Sequence, residues 1–297
     1  MSIRKATSRD EPRIKAYIGD GYEHCLYLYL NLLQYGCDSD EITVWVQEKQ
    51  KITAVLLRYH TCIHIFSREH DFDSAELASF LKAQPSLSLV QGESGTIKEV
   101  AQFCGESDFT VEYGSIMHCP QGNSPCPSSL DFAAASTLSD LEQVASLYYA
   151  DELGKTYRYD DLVMQLRARM ESGYGRTFLL RDAGKVIGSI STWAENDSMA
   201  VESGLIVAPS CRNKGVATAL IRFLRSQLAD KHLYAICYRE NAIRLHNKTG
   251  FHVVCDYAKL ILKIWGGHRH QENCILMFCS TVRTGKEAKC TGKLRWR

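Results

Sequence analysis

One junction limits the folding of this chain more than any other stretch. An apolar run, Ser203-Gly204-Leu205-Ile206-Val207-Ala208-Pro209, passes through the polar segment Ser210-Cys211-Arg212-Asn213-Lys214-Gly215. Beyond it, Val216, Leu220, Phe223 and Leu224 recur at helical spacing. A strand that feeds an amphipathic helix belongs in a mixed α/β sheet domain. The junction is also a natural anion site. The first N–H groups of a helix have no partner inside it, and the helix dipole is positive there, so they can bind a pyrophosphate. Gly215 lets the backbone come close, small Ala217 keeps the approach clear, and Arg212 and Lys214 add positive charge. Arg212, Asn213, Lys214, Gly215, Val216, Ala217 and Thr218 are therefore the candidate phosphate-binding residues.

The elements around the junction follow from periodicity and turn chemistry. Ser139-Asp140-Leu141-Glu142 has the form of a capping box and predicts a helix with Leu141, Val144, Ala145 and Tyr148 on one face. A second helix is expected over residues 161–170, with strands around 177–181, 186–194 and 199–207. A helix from residue 216, a strand at 233–238, a short helix at 242–248 and strands from Phe251 complete the order ααβββαβαββ, a mixed central sheet flanked by helices (α/β, or α+β, in class). Upstream, residues 119–128 with Ser129 hold three of the six prolines, Pro120, Pro125 and Pro127, and read as a linker. A similar hairpin pattern lies on each side of it. Residues 44–55 and 178–189 are each an apolar strand, a polar turn ending in Lys, and a second strand. Two tandem domains of related plan are expected, over 1–118 and 129–264, followed by a basic extension at 265–297.

Composition agrees with two folded domains. A chain of 297 residues suits two units near the commonest domain size, and 45% apolar with 23% charged residues is ordinary for globular proteins. A formal charge of +1 supplies no field that favours nucleic acid or an anionic membrane, so neither is expected as a partner. No stretch has the length of apolar sequence that spans a bilayer, and the first residues lack the apolar core of a signal peptide, so a cytoplasmic location is expected. None of the twelve cysteines forms a Cys-x-x-Cys pair, and they read as reduced, mostly buried thiols.

The sequence Arg212-x-x-Gly215-x-Ala217, following a strand that ends in Ala208-Pro209, resembles the acyl-CoA pyrophosphate loop of the GNAT superfamily of N-acetyltransferases. Two further segments extend the likeness across residues 129–264. Gly184-Lys185-Val186-Ile187-Gly188 lies upstream. Downstream, Ala242-Ile243-Arg244-Leu245-His246-Asn247-Lys248-Thr249-Gly250-Phe251 resembles the family's N-x-x-A-x-x-L-Y-x-x-x-G-F segment. The resemblance implies acetyl-CoA as co-substrate, with no metal, and transfer of its acetyl group to a primary amine of a small molecule or peptide. It further implies direct attack in a ternary complex, without a covalent enzyme intermediate. Backbone groups of Ile206 and Val207 would hold the pantetheine arm and polarise the thioester carbonyl.

Two departures from the pattern bear on catalysis. The family's Tyr, which lies near the departing CoA sulfur and can donate its proton, falls on His246. The position of its Asn falls on Arg239, or on Asn241 if two residues are missing. His246 either gives a proton or hydrogen bond to the sulfur or packs beside the pantetheine; Tyr238, near the end of the preceding strand, is a fallback acid. An ammonium must lose a proton before it can attack. Glu202, on the strand that resembles the family's central one, is the candidate base, and a salt-bridged or exposed carboxylate is the other reading. Glu195 and Asp197, in the preceding turn, are expected to be solvated or to meet a cationic substrate. The departures also motivate a different class of function, a catalytically inactive acyl-CoA-binding sensor or partner-binding protein.

The N-terminal half lacks the glycine loop. Cys62-Ile63-His64-Ile65-Phe66 runs into Ser67-Arg68-Glu69-His70-Asp71-Phe72-Asp73, whose acids would repel a pyrophosphate. This half reads either as a degenerate GNAT-like domain that walls the acceptor site or as an independent α/β module. Tyr22, Tyr27, Tyr29 and Tyr35 are spaced along helix faces and read as core. In the tail, His268, His270, Cys274, Cys279 and Cys290 match no zinc spacing.

Overall fold

A computed structural model describes residues 2–105, 108–125, 129–150 and 159–262. The first half contains β1 (Ser2–Lys5), α1 (Glu11–Ile18), α2 (Leu26–Tyr35), β2 (Ile42–Glu48), β3 (Ile52–Tyr59), β4 (Cys62–Phe66), α3 (Ser74–Lys82), β5 (Leu89–Glu93), α4 (Ser94–Ala101) and β6 (Phe109–Cys119). The second contains β7 (Asp131–Ala134), α5 (Leu138–Tyr149), α6 (Tyr159–Ser172), β8 (Thr177–Asp182), β9 (Lys185–Glu195), β10 (Met199–Val207), α7 (Val216–Gln227), β11 (His232–Cys237), α8 (Glu240–Lys248) and β12 (His252–Leu262). Each half thus runs βααβββαβαβ. Within each, four antiparallel strands lead to a parallel pair, β4 with β5 and β10 with β11.

The two halves share one sheet, in the order β1-β2-β3-β4-β5-β12-β6-β11-β10-β9-β8-β7. The order is palindromic: exchanging each strand with its counterpart in the other half reproduces it in reverse. At the centre the closing strands cross over. β12 of the second half pairs with β5 of the first, and β6 of the first pairs with β11 of the second. β6 and β12 also pair with each other, from His252↔His118 to Leu262↔Phe109.

This corrects the expected element order in three places. Only one described strand follows Phe251, because the position beside β11 is filled by β6. The short strand β7, four residues on the sheet edge, carries too little alternation to be read from sequence. The capping box of α5 lies two residues earlier than expected. Thr137 Oγ1 accepts from the Asp140 amide at 3.1 Å, and Asp140 Oδ2 accepts from the Thr137 amide at 3.1 Å. Asp140 also pairs with Arg181 of β8, which fixes the helix start against the sheet.

Strand alternation divides the core by face. Val55 and Leu57 of β3 meet Ile14, Ile18, Leu28 and Leu32 of α1 and α2, whereas Ala54 and Leu56 meet Leu77, Leu81, Ile97 and Val100 of α3 and α4. In the second half α5 and α6 pack on Leu179 and Ile206, and α7 packs on Phe178, Leu180 and Ile190. Helix α2 serves both halves. Its Leu26 and Leu30 bury against Tyr174, Ala194, Val201, Tyr234 and Tyr257, and Asn31 Oδ1 accepts from the Tyr174 hydroxyl at 2.9 Å. Tyr22, Tyr27, Tyr29 and Tyr35 pack as half-buried members of these same clusters.

Because β6 and β12 are each held between strands of both halves, residues 129–262 alone would expose the open edges of β11 and β12. That fragment is expected to be insoluble, or to unfold without cooperativity by circular dichroism, and to regain a cooperative transition when residues 1–125 are co-expressed. Full cooperativity of the isolated fragment would show that the shared strands are dispensable.

Candidate active site

The parallel ladder between β10 and β11 runs from Met199↔His232 to Glu202↔Ala235 and stops. β10 continues to Val207 beside β9, β11 continues to Cys237, and a fork opens between them. A bulge over Ser203–Ile206 turns β10 at this point. Its glycine is required: Gly204 has φ +67°, and a Cβ there would stand 2.2 Å from the Tyr148 hydroxyl.

The candidate phosphate loop follows directly. A 3-10 turn, Pro209–Cys211, leads through Arg212 and Asn213 (φ 60°) to Gly215 (φ 82°), the N-cap of α7. Residues 212–215 are exposed, and among the described residues no side chain caps the helix start. The unpaired amides of its first turn therefore face solvent beside Lys214. Arg212 Nε donates to the Val207 carbonyl at 3.2 Å, which ties the loop to the end of β10. Val216, Ala217 and Thr218 form the half-buried first turn. The helix sits close on the sheet because Gly188 of β9 leaves room: a Cβ there would meet Leu220 at 2.9 Å and Val216 at 3.1 Å. Ile206 is buried under α5 and α6 and Val207 packs towards α7, so their backbones lie along the fork. Asn241 is exposed on the first turn of α8, and Arg239 is that helix's N-cap.

The equivalent helix start in the first half is closed. Asp73 caps α3 by accepting from the Glu76 amide at 2.9 Å, and Gln47 bridges the Asp73 carbonyl and the Glu76 carboxylate. The amide of Glu76 is occupied, and the charge around this helix start is negative.

Glu202 and His246 meet at the fork. His246 Nε2 lies 2.9 Å from Glu202 Oε1, and both residues are buried, at 4% and 5% exposure. His246 Nδ1 is 2.8 Å from the Ala242 carbonyl, which can only accept, so Nδ1 carries a hydrogen. One further proton then lies between Nε2 and Oε1. Burial alone would push the imidazole down, but the Glu202 carboxylate and the Cys237 sulfur overcome this and hold its pKa up at about 11. The pair is thus imidazolium and carboxylate. The second carboxylate oxygen, Oε2, is buried without a partner among the described residues. Glu202 is therefore salt-bridged, yet it keeps one open acceptor site.

The third member of the cluster is not among the residues the sequence pattern singles out. Cys237, the last residue of β11, places its sulfur 3.5 Å from His246 Nδ1. Strand alternation sends the next residue, Tyr238, to the other face. Its hydroxyl donates to Gln91 Oε1 of β5 at 3.1 Å, and Lys259 Nζ lies 4.2 Å above its ring. Burial pushes the Tyr238 phenol well above its ordinary range, so it stays protonated. Glu202 and His246 come together; Tyr238 does not join them. Period-two alternation could have indicated that Cys237, and not Tyr238, shares the face of Ala235, but the pairing with α8 could not be read from spacing.

Glu195 departs from expectation. It is 8% exposed and bonded by Arg176 at 2.7 and 3.0 Å, by Lys231 at 3.2 Å and by the Thr192 hydroxyl. Burial would raise its pKa, but these partners outweigh that and hold it below the ordinary carboxylate value. Glu195 is thus buried and paired rather than solvated, and it ties Arg176 and Lys231 to the end of β9, whereas Asp197 is exposed. Among the described residues no group of three His, Cys, Asp or Glu side chains could hold a metal. The histidines and cysteines of the tail lie outside the described residues.

Comparison with known proteins bears on the family and the fold. Residues 139–251 match the family model described as the acetyltransferase (GNAT) family. Sequence comparison with curated proteins gives no match. Among solved structures, a GCN5-related N-acetyltransferase from Sphaerobacter thermophilus has 14% identity and a TM-score of 0.57, over 87% of this chain and 94% of its own. A Drosophila protein has 12% identity and a TM-score of 0.63, over 88% and 98%. A tandem GNAT protein from the clavulanic acid biosynthesis pathway has 10% identity and a TM-score of 0.54, over 87% and 97%. At such identities the likeness is one of fold, and it spans both halves. The chain carries an acetyltransferase domain of the GNAT family in its C-terminal half, within a GNAT-like mixed sheet.

Two outcomes follow from the site. Gly215→Glu imposes a side chain on a left-handed residue, at about 1–2 kcal/mol, and sets a carboxylate where phosphate would lie. It is expected to abolish CoA binding by calorimetry, and unchanged affinity would remove the loop assignment. The raised His246 pKa is a linkage statement. Its contribution to stability is complete below about 6.5, the ordinary histidine value, and is lost as pH rises towards about 11. Relative to Glu202→Gln, the wild-type protein should therefore lose melting temperature across that window. A constant difference between the two would place the shared proton elsewhere.

Proposed function

We propose that this protein moves an acetyl group from acetyl-CoA to a primary amine of a small molecule or peptide, by direct attack in a ternary complex. The observation that carries the reading is the buried Glu202, anchored by His246 at the β10–β11 fork with Oε2 unpartnered, close in the chain to an uncapped helix start. A buried acceptor without a donor is costly, and an incoming N–H supplies one. The pyrophosphate lies on the first turn of α7, held by the amides of Gly215 to Thr218 with Arg212 and Lys214. The pantetheine arm follows the backbone of Ile206 and Val207 into the fork, where that backbone polarises the thioester carbonyl. As the acceptor ammonium loses its proton to Glu202 Oε2, directly or through a water, the freed amine attacks the carbonyl carbon. His246 supplies a proton to the departing sulfur. The pair gains one proton and gives up one, so it ends as it began. Tyr238, on the other face, is left to line the acceptor side together with Gln91 of the first half.

A binding protein without turnover is the second reading, favoured by the ion pair that occupies Glu202 Oε1. The first half walls the acceptor side in either case, because α2 packs across β10 and β11. No described helix is long and apolar enough to cross a membrane; the cytoplasm is the proposed location, and nucleic acid is not a proposed partner.

Steady-state kinetics with acetyl-CoA and a panel of amines test the reading. Release of CoA should require an amine and show intersecting double-reciprocal lines. Glu202→Gln should lower kcat by about 10²–10⁴-fold, the usual share of a positioned base. Parallel lines would overturn direct attack, and CoA binding with no amine-dependent release would leave the binding protein.

A further inference from the structure

The buried cluster at the fork contains more chemistry than the amine route uses. Cys237 Sγ, the His246 imidazole and the Glu202 carboxylate stand in line: sulfur to Nδ1 at 3.5 Å, and Nε2 to Oε1 at 2.9 Å. A thiol beside an imidazolium that a carboxylate orients is the arrangement that activates cysteine nucleophiles. All three residues are at most 5% exposed. Cys237 lies two residues past the last β10–β11 pair, on the limb of the fork opposite Ile206 and Val207. A second, independent observation marks the place as one that receives a ligand: the buried Glu202 Oε2 has no donor among the described residues.

The first half supplies an internal contrast. Cys62 Sγ lies 3.6 Å from His64 Nε2, also buried. There no carboxylate orients the ring, and His64 Nδ1 has no partner among the described residues. Burial pushes His64 down to about 4 and the Cys62 thiol up to about 12. That pair is neutral and inert. At the fork, by contrast, the Glu202 carboxylate orients the ring and holds it charged beside the sulfur.

We propose that Cys237 is a second acyl acceptor in this site, taking the acyl group of a bound acyl-CoA to form a thioester on the protein itself. The inference rests on the reading that the thioester of acyl-CoA lies in the fork. In the reactive form the Cys237 proton has gone to solvent, and the thiolate stands against the imidazolium, whose Nδ1 hydrogen it shares with the Ala242 carbonyl. The Cys237 sulfur attacks the carbonyl carbon and forms the new carbon–sulfur bond. The bond to the CoA sulfur breaks, its electron pair leaves with that sulfur, and the sulfur takes a proton from His246, which solvent replaces. One thioester is exchanged for another, so the step is reversible and the acylated fraction follows the ratio of acyl-CoA to free CoA. The branch lies off the amine route and fills when amine is scarce.

The test is intact-mass spectrometry of the full-length protein incubated with acetyl-CoA and no amine, followed by peptide mapping. One acetyl group is expected, on Cys237, labile to hydroxylamine and reduced in step with added free CoA. It should be lost in Cys237→Ala and Cys237→Ser, retained in Cys211→Ala, and formed about a hundredfold more slowly in His246→Gln. Peptide mapping of the wild-type protein decides the matter even if a variant fails to fold. An adduct on Cys62, Cys211 or a lysine, or no adduct while calorimetry shows acetyl-CoA bound, overturns the inference and leaves the proposed amine transfer standing. Absence of acetyl-CoA binding overturns both.

Discussion

The pairing of β6 with β12 is the contact on which the rest of the molecule depends. Ten residue pairs join these strands, and each strand also pairs with the other half, so the sheet is continuous from β1 to β7. Two consequences follow. The edges left by each parallel pair are closed without any extra element, which removes two exposed edges that would otherwise invite association. The halves also become one body, because neither can complete its sheet without a strand of the other. That fixes α2 over the second half and brings Gln91 of β5 within hydrogen-bond reach of Tyr238.

Within this frame the site is produced by a single failure of pairing. Parallel strands β10 and β11 cease to pair after Glu202 and Ala235, and the bulge at Gly204 turns β10 away. The fork leaves backbone groups for a ligand on one side and Cys237 on the other. Glu202 and His246 close its apex. A buried ion pair is weak evidence for stability, since desolvation of both charges offsets much of their attraction. With one carboxylate oxygen unpartnered among the described residues, the pair fits the proton handling proposed for it better than a role in folding.

The repeated plan of the halves shows how local chemistry makes two like forks differ. Both have a parallel pair leading to a helix start. In the second half the start is uncapped, glycine-led and flanked by cations; in the first it is capped by Asp73 and enclosed by acids. The His64–Cys62 pair lacks the carboxylate that makes His246 a cation. One scaffold thus holds an uncapped helix start and a capped counterpart.

Local sequence determined a good deal by itself. The strand–glycine–helix junction at 203–218, the hairpins at 44–55 and 178–189, the bounds of β10 and the acidic, glycine-free segment at 67–73 all follow from short-range preferences and periodicity, which act between residues near in sequence. Glu202 and His246 were legible as candidates because they sit at defined places in a pattern. Their contact with each other was not, nor was the arrival of Cys237 beside them, because which face meets α8 depends on the bulge and on strand register. The filling of the place beside β11 by β6 was equally hidden. A strand edge is satisfied by any strand of suitable length, and only the packed structure selects which one.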